Sequence, residues 1–398
     1  MLLRARTSRK LPSIFPCVPL VPASTSSPSP RHIQARTSRT HHRAVSSSAQ
    51  LQVNINQSQS GLKAATPGNL LSSHILVYRS MSSLSATTES PNPELWGVES
   101  TTPNEPTIDA VFEKNTGTWQ YLVSDAATSS AVIIDPVLDY DRATQTVSTQ
   151  SADSLLKTVT EKGYKIEMIL ETHVHADHLT AASYLQRHLA QTQGFKPPVG
   201  IGKRIEQVQT LFGKRYEVPR AEYTGVFDKL FDDDETFKIG NLTAMAVHLP
   251  GHTPDHLGYR IGENIFCGDS LFHADIGTAR CDFPGGSARD LFRSGRKLLD
   301  LPGQFKIWTG HDYPPQGREE PRPWMSVKEH RQQNKHLKDG TTEEQYIALR
   351  EARDAEMQAP KLLHQSLQIN IRAGQLLRPS QTGHRMLRLP MKFQGGEW

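Results

Sequence analysis

The first 88 residues contain no aspartate or glutamate, and the first acidic side chain is Glu89. Ten of the 45 Lys and Arg residues and none of the 41 Asp and Glu residues lie in this segment. Residues 89–398 therefore hold six more acidic than basic side chains, although the 398-residue chain has a net charge of +4. Because aromatic residues do not interleave with the arginines, this basic segment does not favour binding of nucleic acid.

An acid-free segment rich in arginine and serine, with scattered apolar residues, is typical of a mitochondrial transit peptide. We therefore expect residues 1–100 to be a transit peptide followed by a disordered linker, and the protein to act in the mitochondrial matrix. The alternative is a simple disordered leader. Translation from Met81 would remove it and leave the protein in the cytoplasm.

Cysteine is scarce, and long apolar runs are lacking. The three cysteines are Cys17, Cys267 and Cys281, too few for a disulfide framework, so a reducing compartment is expected. No apolar run approaches the ~18 residues needed to cross a bilayer, which predicts no membrane span. Cys267 follows an apolar strand-like run, where a thiol behaves as a small apolar group.

Three imidazoles and a carboxylate lie within six residues, at His173, His175, Asp177 and His178. The preceding segment, 165–171, has the apolar pattern of a buried strand, and the following residues 179–191 have helical spacing. Side chains two apart in an extended stretch point the same way, so the first two histidines can face one metal ion. A cluster of surface histidines is the weaker interpretation, because matching partners occur downstream.

Three of these partners follow predicted strands, and each directly follows a glycine: His252, Asp269 and His311. Glycine before a ligand permits a sharp bend and a close backbone approach. We predict one metal position formed by the side chains of His173, His252 and Asp269, with His175 close by. A second position would use Asp177, His178 and His311, with Asp269 able to bridge.

Two chemistries are compatible with this spacing. Two zinc ions would hold a bridging hydroxide that attacks a thioester or a similar bond. One ferrous ion held by two histidines and one carboxylate would leave positions open for a substrate and dioxygen. The spacing alone does not choose between them.

The ordered set HxHxDH, GH, GD and GH resembles the metallo-β-lactamase superfamily. That resemblance implies an α/β fold of the αβ/βα sandwich type, two mixed sheets packed face to face with helices outside, with metals at one edge. We expect this catalytic domain to span residues 105–378 and a disordered tail to follow over 379–398.

The residues around the ligands are more specific, and they resemble the persulfide dioxygenase (sulfur dioxygenase) family, in its β-lactamase hydrolase-like branch. The resemblance rests on Ile134-Asp135-Pro136-Val137, Thr172 to Thr180, Pro250 to Pro254, Gly268 to Leu271, Ala279 to Phe283, His311-Asp312-Tyr313 and Asn370 to Gly374. It implies one Fe(II) per chain on His173, His252 and Asp269, with glutathione persulfide and O2 as substrates and sulfite and glutathione as products.

The same resemblance implies roles for further residues. Arg280 and Tyr313 would line the substrate pocket. Because residues 89–398 are net acidic, Arg280 and Arg372 are also expected on electrostatic grounds to hold the glutathione carboxylates. The alternative for both arginines is a structural ion pair. The groups expected to position ligands and to move protons are His175, Asp177, His178 and His311. The family also implies a homodimer.

Two departures from the better-known family members concern substrate preference. The stretch between His178 and His252 is longer, and Gly-Arg-Thr-Asp is replaced by Ala279-Arg280-Cys281-Asp282. The alternative function is a glyoxalase II-type binuclear hydrolase of acylated glutathione, because every residue needed for a second metal is present. A third alternative is a binding scaffold without catalysis.

The sequence also gives expectations for one further histidine, for an acidic run and for the helices. We do not expect His256 to be a ligand, and we expect the acidic run 232–235 to form a surface turn. Helices are predicted over 152–162, 179–191, 203–212 and 288–299, and an exposed helix is predicted over 343–357.

Overall fold

The computed structural model describes residues 95–100 and 102–396. The predicted transit peptide and Met81 lie outside these residues. The strands are β1 Leu95–Val98, β2 Thr107–Glu113, β3 Thr118–Ser124, β4 Ser130–Ile134, β5 Val137–Asp141, β6 Thr146–Ser148, β7 Lys165–Leu170, β8 Leu179–Thr180, β9 Val199–Gly202, β10 Lys229–Phe231, β11 Thr236–Ile239, β12 Leu242–His248, β13 Leu257–Ile261, β14 Asn264–Phe266, β15 Lys306–Trp308 and β16 Trp324–Ser326. The α-helices are α1 Gln150–Lys162, α2 Ala182–Thr192, α3 Ile205–Arg215, α4 Ala288–Leu299, α5 Val327–Gln333, α6 Glu343–Glu356 and α7 Leu363–Asn370.

Two mixed sheets dominate the fold. The first has the strand order β1-β2-β3-β4-β7-β9-β10, in which β4, β7, β9 and β10 run parallel to one another. The second has the order β11-β12-β13-β14-β15-β16, in which β14 and β15 are parallel. A small third sheet joins β6, β5 and β8.

The alternation of side chains along the strands explains why the sheets stack. On β4, Val132 and Ile134 pack with Tyr259 and Trp308 of the second sheet in one buried cluster. Ile133, which points the other way, joins α1, α2, α3 and α7 in a second cluster. A third cluster lies between the second sheet and the helices α4 and α6. The order of layers is therefore helix, sheet, sheet, helix, which confirms the predicted α/β sandwich.

The secondary-structure predictions agree closely with the observed bounds. Helix α4 has the predicted limits, and α1 ends before Gly163, whose φ of 65° gives a left-handed cap. The acidic run is a surface turn, as predicted: Asp233, for example, forms an ion pair with Arg204. None of the helices in the described part of the chain is long and apolar enough to cross a membrane.

The structure differs from the sequence predictions in three places. Residues 95–98, expected to be disordered linker, form an edge strand on β2, where hydrogen bonding to a partner strand compensates for a weak local pattern. Helix α6 is not exposed on all sides, because Tyr346 and Arg350 are buried. Residues 378–396 have neither helix nor strand, but Arg388 binds Gln368 of α7 through its backbone.

Candidate metal centre

All the predicted ligands lie in loops that follow strands. The loop after β7 carries the HxHxDH residues of the first sheet. The loops after β12, β14 and β15 of the second sheet carry His252, Asp269 and His311. These loops meet at one edge of the sandwich, so both sheets contribute to one cluster of side chains.

Two glycines allow the close approach of these loops. Gly268 has a φ of +46°, and a Cβ atom there would lie 2.6 Å from the Thr172 hydroxyl oxygen. A Cβ at Gly310 would lie 2.5 Å from Oδ1 of Asp269. Both distances are too short for real contacts, so a glycine before each ligand is required here, as the sequence predicted.

The first donor group has the predicted composition. One ligand atom from each of His173, His252 and Asp269 lies within 4.8 Å of the other two. Nε2 of His252 is 3.6 Å from Oδ2 of Asp269. All three side chains are buried, so their donor atoms face one another and not bulk water.

In three of the histidines, Nδ1 lies within hydrogen-bonding distance of an oxygen atom outside the donor groups. Nδ1 of His252 donates to the carbonyl of Arg280 at 2.7 Å. Nδ1 of His311 lies 3.3 Å from the carbonyl of Gly117, and Nδ1 of His173 lies 3.0 Å from Oγ1 of Thr172. A proton on Nδ1 leaves the Nε2 lone pair for a metal, which is the usual role of such supporting bonds.

A second donor group lies beside the first. Ligand atoms of His175, Asp177 and His178 also lie within 4.8 Å of one another. Nε2 of His311 is 3.0 Å from Oδ2 of Asp177 and 3.5 Å from Oδ1 of Asp269. The structure thus brings together all seven predicted ligand-type side chains.

His175 differs from these three histidines, because its Nε2 contacts the supporting groups and its Nδ1 is left free of them. Its Nε2 lies 3.2 Å from both Oδ1 of Asp135 and Oε2 of Glu171, two buried carboxylates. Its Nδ1 is the atom left to face the cluster. Thr180 donates to the other oxygen of Glu171, so this buried acid is fixed on both sides.

The donor set fits a metal ion. Among the residues that the structure describes, Nε2 of His173, Nδ1 of His175, Nε2 of His178 and Oδ1 of Asp269 are buried and make no hydrogen bond. Buried polar atoms without a partner are costly and rare. These atoms belong to the two donor groups, and a cation bound by each group would give them the partners that they lack.

The pKa values of two histidines in the metal-free cluster are shifted in opposite directions. Burial, reinforced by the neighbouring histidines His175, His256 and His252, places the pKa of His173 well below its usual value, so its lone pair is available at neutral pH. For His311, burial acts in the same direction, but Asp269 and Asp177 outweigh it and raise the pKa to about 9. A metal ion at the second position would have to displace that proton.

Comparisons with known proteins agree with this geometry. Residues 115–311 match the model of the metallo-beta-lactamase superfamily. A beta-lactamase hydrolase-like protein of Xylella fastidiosa is 40% identical over 295 residues, which cover 74% of this chain and 67% of that protein. The chain belongs to the metallo-beta-lactamase superfamily. Glyoxylase B2 of Dictyostelium discoideum is 39% identical over 73% of this chain and 98% of that protein.

Two proteins that bear the name ETHE1 are also similar to this chain. Human mitochondrial persulfide dioxygenase ETHE1 is 28% identical over 51% of this chain and 67% of that protein. The crystal structure of ETHE1 from Myxococcus xanthus superposes with a TM-score of 0.54 at 27% identity, covering 67% of this chain and 99% of the other. The similarity therefore extends over the whole of that bacterial chain.

The three predicted substrate residues lie in different surroundings. Tyr313 is half exposed, and its ring stacks on that of His311 with centroids 5.6 Å apart. Arg280 binds both carboxylate oxygens of Asp282, and its backbone carbonyl reaches His252. Arg372 is buried in an ion pair with Glu222 at 2.8 Å, the structural alternative considered for it.

The sequence analysis did not identify several supporting residues of this superfamily site. Asp135 and Glu171 hold His175, and Asn370 donates to the carbonyls of His175 and His178. His256, which the sequence analysis did not expect to be a ligand, accepts a hydrogen bond from the backbone of Asp269. The only signal in the sequence was the occurrence of Asp135 and Asn370 within the quoted family motifs.

Proposed function

We propose that this protein is a mononuclear non-haem iron persulfide dioxygenase. In the proposed reaction, glutathione persulfide, O2 and water give glutathione and sulfurous acid, which ionises to sulfite. The observation that carries the proposal is the group of His173, His252 and Asp269 within 4.8 Å. Two histidines and one carboxylate with open positions are typical of non-haem Fe(II) oxygenases. The full coverage of the bacterial ETHE1 chain supports the same activity.

The protein side chains would divide the work as follows. Bound Fe(II) would supply the activation of dioxygen. His311, whose Nε2 lies between Asp177 and Asp269, could hold a proton there and deliver it to the thiolate of the departing glutathione. His175 is fixed by two carboxylates and keeps its Nδ1 directed at the cluster.

The negative charge of glutathione requires cationic side chains near the site. Glutathione carries two carboxylates, and residues 89–398 are net acidic, so local cations must hold the substrate. Arg280 is the best-placed candidate, because its loop contacts His252. Tyr313 stacks on His311, and its ring is half exposed. Arg372, in its ion pair with Glu222, remains a weaker candidate for this role.

Oxygen uptake by anaerobically purified, iron-loaded protein tests the proposal. We expect glutathione persulfide to cause oxygen consumption with one sulfite formed per O2. Hydrolysis of S-lactoylglutathione is measured on the same sample. Iron-loaded protein that consumes no oxygen with glutathione persulfide would contradict the assignment.

A binuclear hydrolase of glutathione thioesters is the second candidate. It is favoured by Asp177 and His178 of the second donor group, together with His311, whose Nε2 lies 3.0 Å from Asp177 and 3.5 Å from Asp269. Two zinc ions would supply a bridging hydroxide of lowered pKa. The Dictyostelium relative bears the name glyoxylase B2, which supports this candidate. Thioester hydrolysis without oxygen uptake, at two metals per chain, would select it.

The setting of the enzyme is part of the proposal. The acid-free, arginine-rich leader supports mitochondrial import. A homodimer rests on family resemblance alone. A scaffold without catalysis predicts that carefully prepared protein binds no metal, and this outcome is measured by metal analysis of the same sample.

A further inference from the structure

Helix α6 carries three side chains on one face that all reach the loop 278–281. They are Tyr346, Arg350 and Asp354, spaced four residues apart, which places them on one side of the helix. The hydroxyl of Tyr346 donates to Oγ1 of Thr278 at 2.9 Å. Arg350, 1% exposed, donates to the carbonyl of Thr278 at 3.2 Å and also binds Asp354.

Asp354 makes the contact that matters for the metal centre. Its Oδ2 accepts a hydrogen bond of 2.8 Å from the backbone N–H of Cys281. This N–H belongs to the same peptide group as the Arg280 carbonyl, which accepts the Nδ1 proton of His252 at 2.7 Å. Asp354 and His252 therefore hold opposite ends of one planar amide.

The loop is also fixed beyond the end of the helix. The guanidinium of Arg280 donates from Nη1 to the carbonyl of Gln358 at 2.7 Å, and its other nitrogens bind Asp282. The loop carrying the Arg280 carbonyl is thus attached to α6 and its C-terminal extension at several points. Rotation of this peptide group would break the bond to Asp354.

We propose that Asp354 is a positioning residue of the metal centre, which acts on His252 through the peptide group of Arg280 and Cys281. A carboxylate on the N–H end polarises the amide and makes its carbonyl a better acceptor. A stronger bond to Nδ1 fixes the tautomer and ring orientation of His252 and makes its Nε2 more basic. Asp354 does not touch substrate or metal. The inference rests on the metal site of the proposed function, whether that site takes one ion or two.

The test compares metal affinity in Asp354→Asn with that in Glu351→Gln, a control at an exposed position of the same helix. Fe(II) binding is measured anaerobically by competition with a chromophoric chelator, and the visible spectrum of the Co(II)-substituted protein reports ligand geometry. We expect Asp354→Asn to weaken Fe(II) binding by about 10-fold or more and to shift the Co(II) spectrum. The control should match the wild type in both.

A double variant keeps the test valid if Asp354→Asn folds poorly. Replacing the pair together, in Arg350→Met/Asp354→Leu, leaves no buried charge without its partner but still removes the bond to Cys281. We expect the metal-free double variant to unfold near the wild-type temperature and to show the same loss of affinity. Unchanged Fe(II) affinity and Co(II) spectrum in a folded variant would overturn the positioning role. Loss of metal only in proportion to loss of folded protein would also overturn it.

Failure of the proposed function gives a different result. Wild-type protein that binds no divalent metal would overturn both the function and the positioning role. Wild-type protein that binds metal normally, together with an Asp354→Asn variant that also binds it normally, would overturn the positioning role alone.

Discussion

Nε2 of His256 accepts a hydrogen bond of 3.0 Å from the backbone N–H of Asp269. The ring of His256 also stacks on that of His173, with centroids 4.8 Å apart. Its side chain is fully buried, and burial together with the neighbouring His252 and His175 holds its pKa well below the usual value. One neutral imidazole therefore contacts two predicted ligands, His173 and Asp269.

This contact predicts different results for two substitutions of His256. Leucine fills the space but cannot accept the bond from Asp269, so we expect His256→Leu to weaken Fe(II) binding by roughly 10- to 100-fold. Glutamine offers an acceptor oxygen, so His256→Gln should lie closer to the wild type. Competition with a chelator measures both affinities. Equal, wild-type affinity in the two variants would show that packing against His173 is sufficient.

Ligand substitutions distinguish the one-metal site from the two-metal site. Asp269→Asn removes the only carboxylate of the first donor group. We expect it to lose iron and dioxygenase activity together, with affinity falling by more than the roughly 100-fold seen for outer supporting residues. His178→Gln, which affects only the second group, should retain one iron per chain. Metal analysis checks both. Loss of half of two bound metals in His178→Gln would favour the hydrolase.

The pairing of Arg280 with Asp282 predicts changes in the KM for glutathione persulfide. The guanidinium of Arg280 is neutralised by Asp282, which a substrate carboxylate would have to replace. We expect Asp282→Asn to lower the KM for glutathione persulfide several-fold and Arg280→Met to raise it about 10-fold, since hydrogen bonds to charged groups contribute roughly 1.5–3 kcal/mol. Steady-state oxygen uptake at matched iron content measures both values. An unchanged KM in both variants would show that Arg280 does not bind the substrate and that its ion pair with Asp282 is structural.

A buried histidine far along the chain predicts a pH dependence of stability. Burial, together with the nearby His273, lowers the pKa of His330 to about 4. The unfolded chain takes up this proton near pH 6.5, before the folded protein does, so the free energy of unfolding falls as the pH decreases. Between pH 7 and 5, protonation of His330 in the unfolded chain lowers the free energy of unfolding by about 2 kcal/mol.

Urea unfolding of metal-free protein at both pH values measures this effect. We expect His330→Gln to lose about 2 kcal/mol less than the wild type between pH 7 and 5. His384→Gln, at an exposed position of the tail, is the control and should follow the wild type. An unchanged pH dependence in His330→Gln would mean that His330 does not stay neutral in the folded protein.

The positions of the candidate ligands were predictable from sequence, because each combines a strand pattern with a local signal. Gly268 before Asp269 and Gly310 before His311 are such signals, and their close approaches confirm them. β4 ends two residues before Pro136, and β5, in another sheet, begins directly after it. Patterns of period 2 and 3.6 thus gave the strands, the helices and the order of the ligands.

The supporting contacts were not predictable, because their partners are distant in sequence. Asn370 reaches His175 across 195 positions, and no local periodicity records such a pair. Helix α6 was predicted to be exposed because its composition is charged. The burial of Arg350 depends on Thr278 and Asp354, which give its guanidinium polar partners. A charged residue is buried when such partners exist, and this depends on the fold as a whole.

The origin of the ligands in two sheets has a consequence for stability. His173 follows the first sheet, whereas His252 and Asp269 follow the second, so one bound ion would tie the two halves of the sandwich together. Neither Cys267 nor Cys281 forms a disulfide, and the ion would be the cross-link that the described chain otherwise lacks. Binding only to the folded state adds about 2.7 kcal/mol at a free ion concentration of 100 times Kd. Chelation should then lower the melting temperature, making thermal resistance a reporter of metal supply.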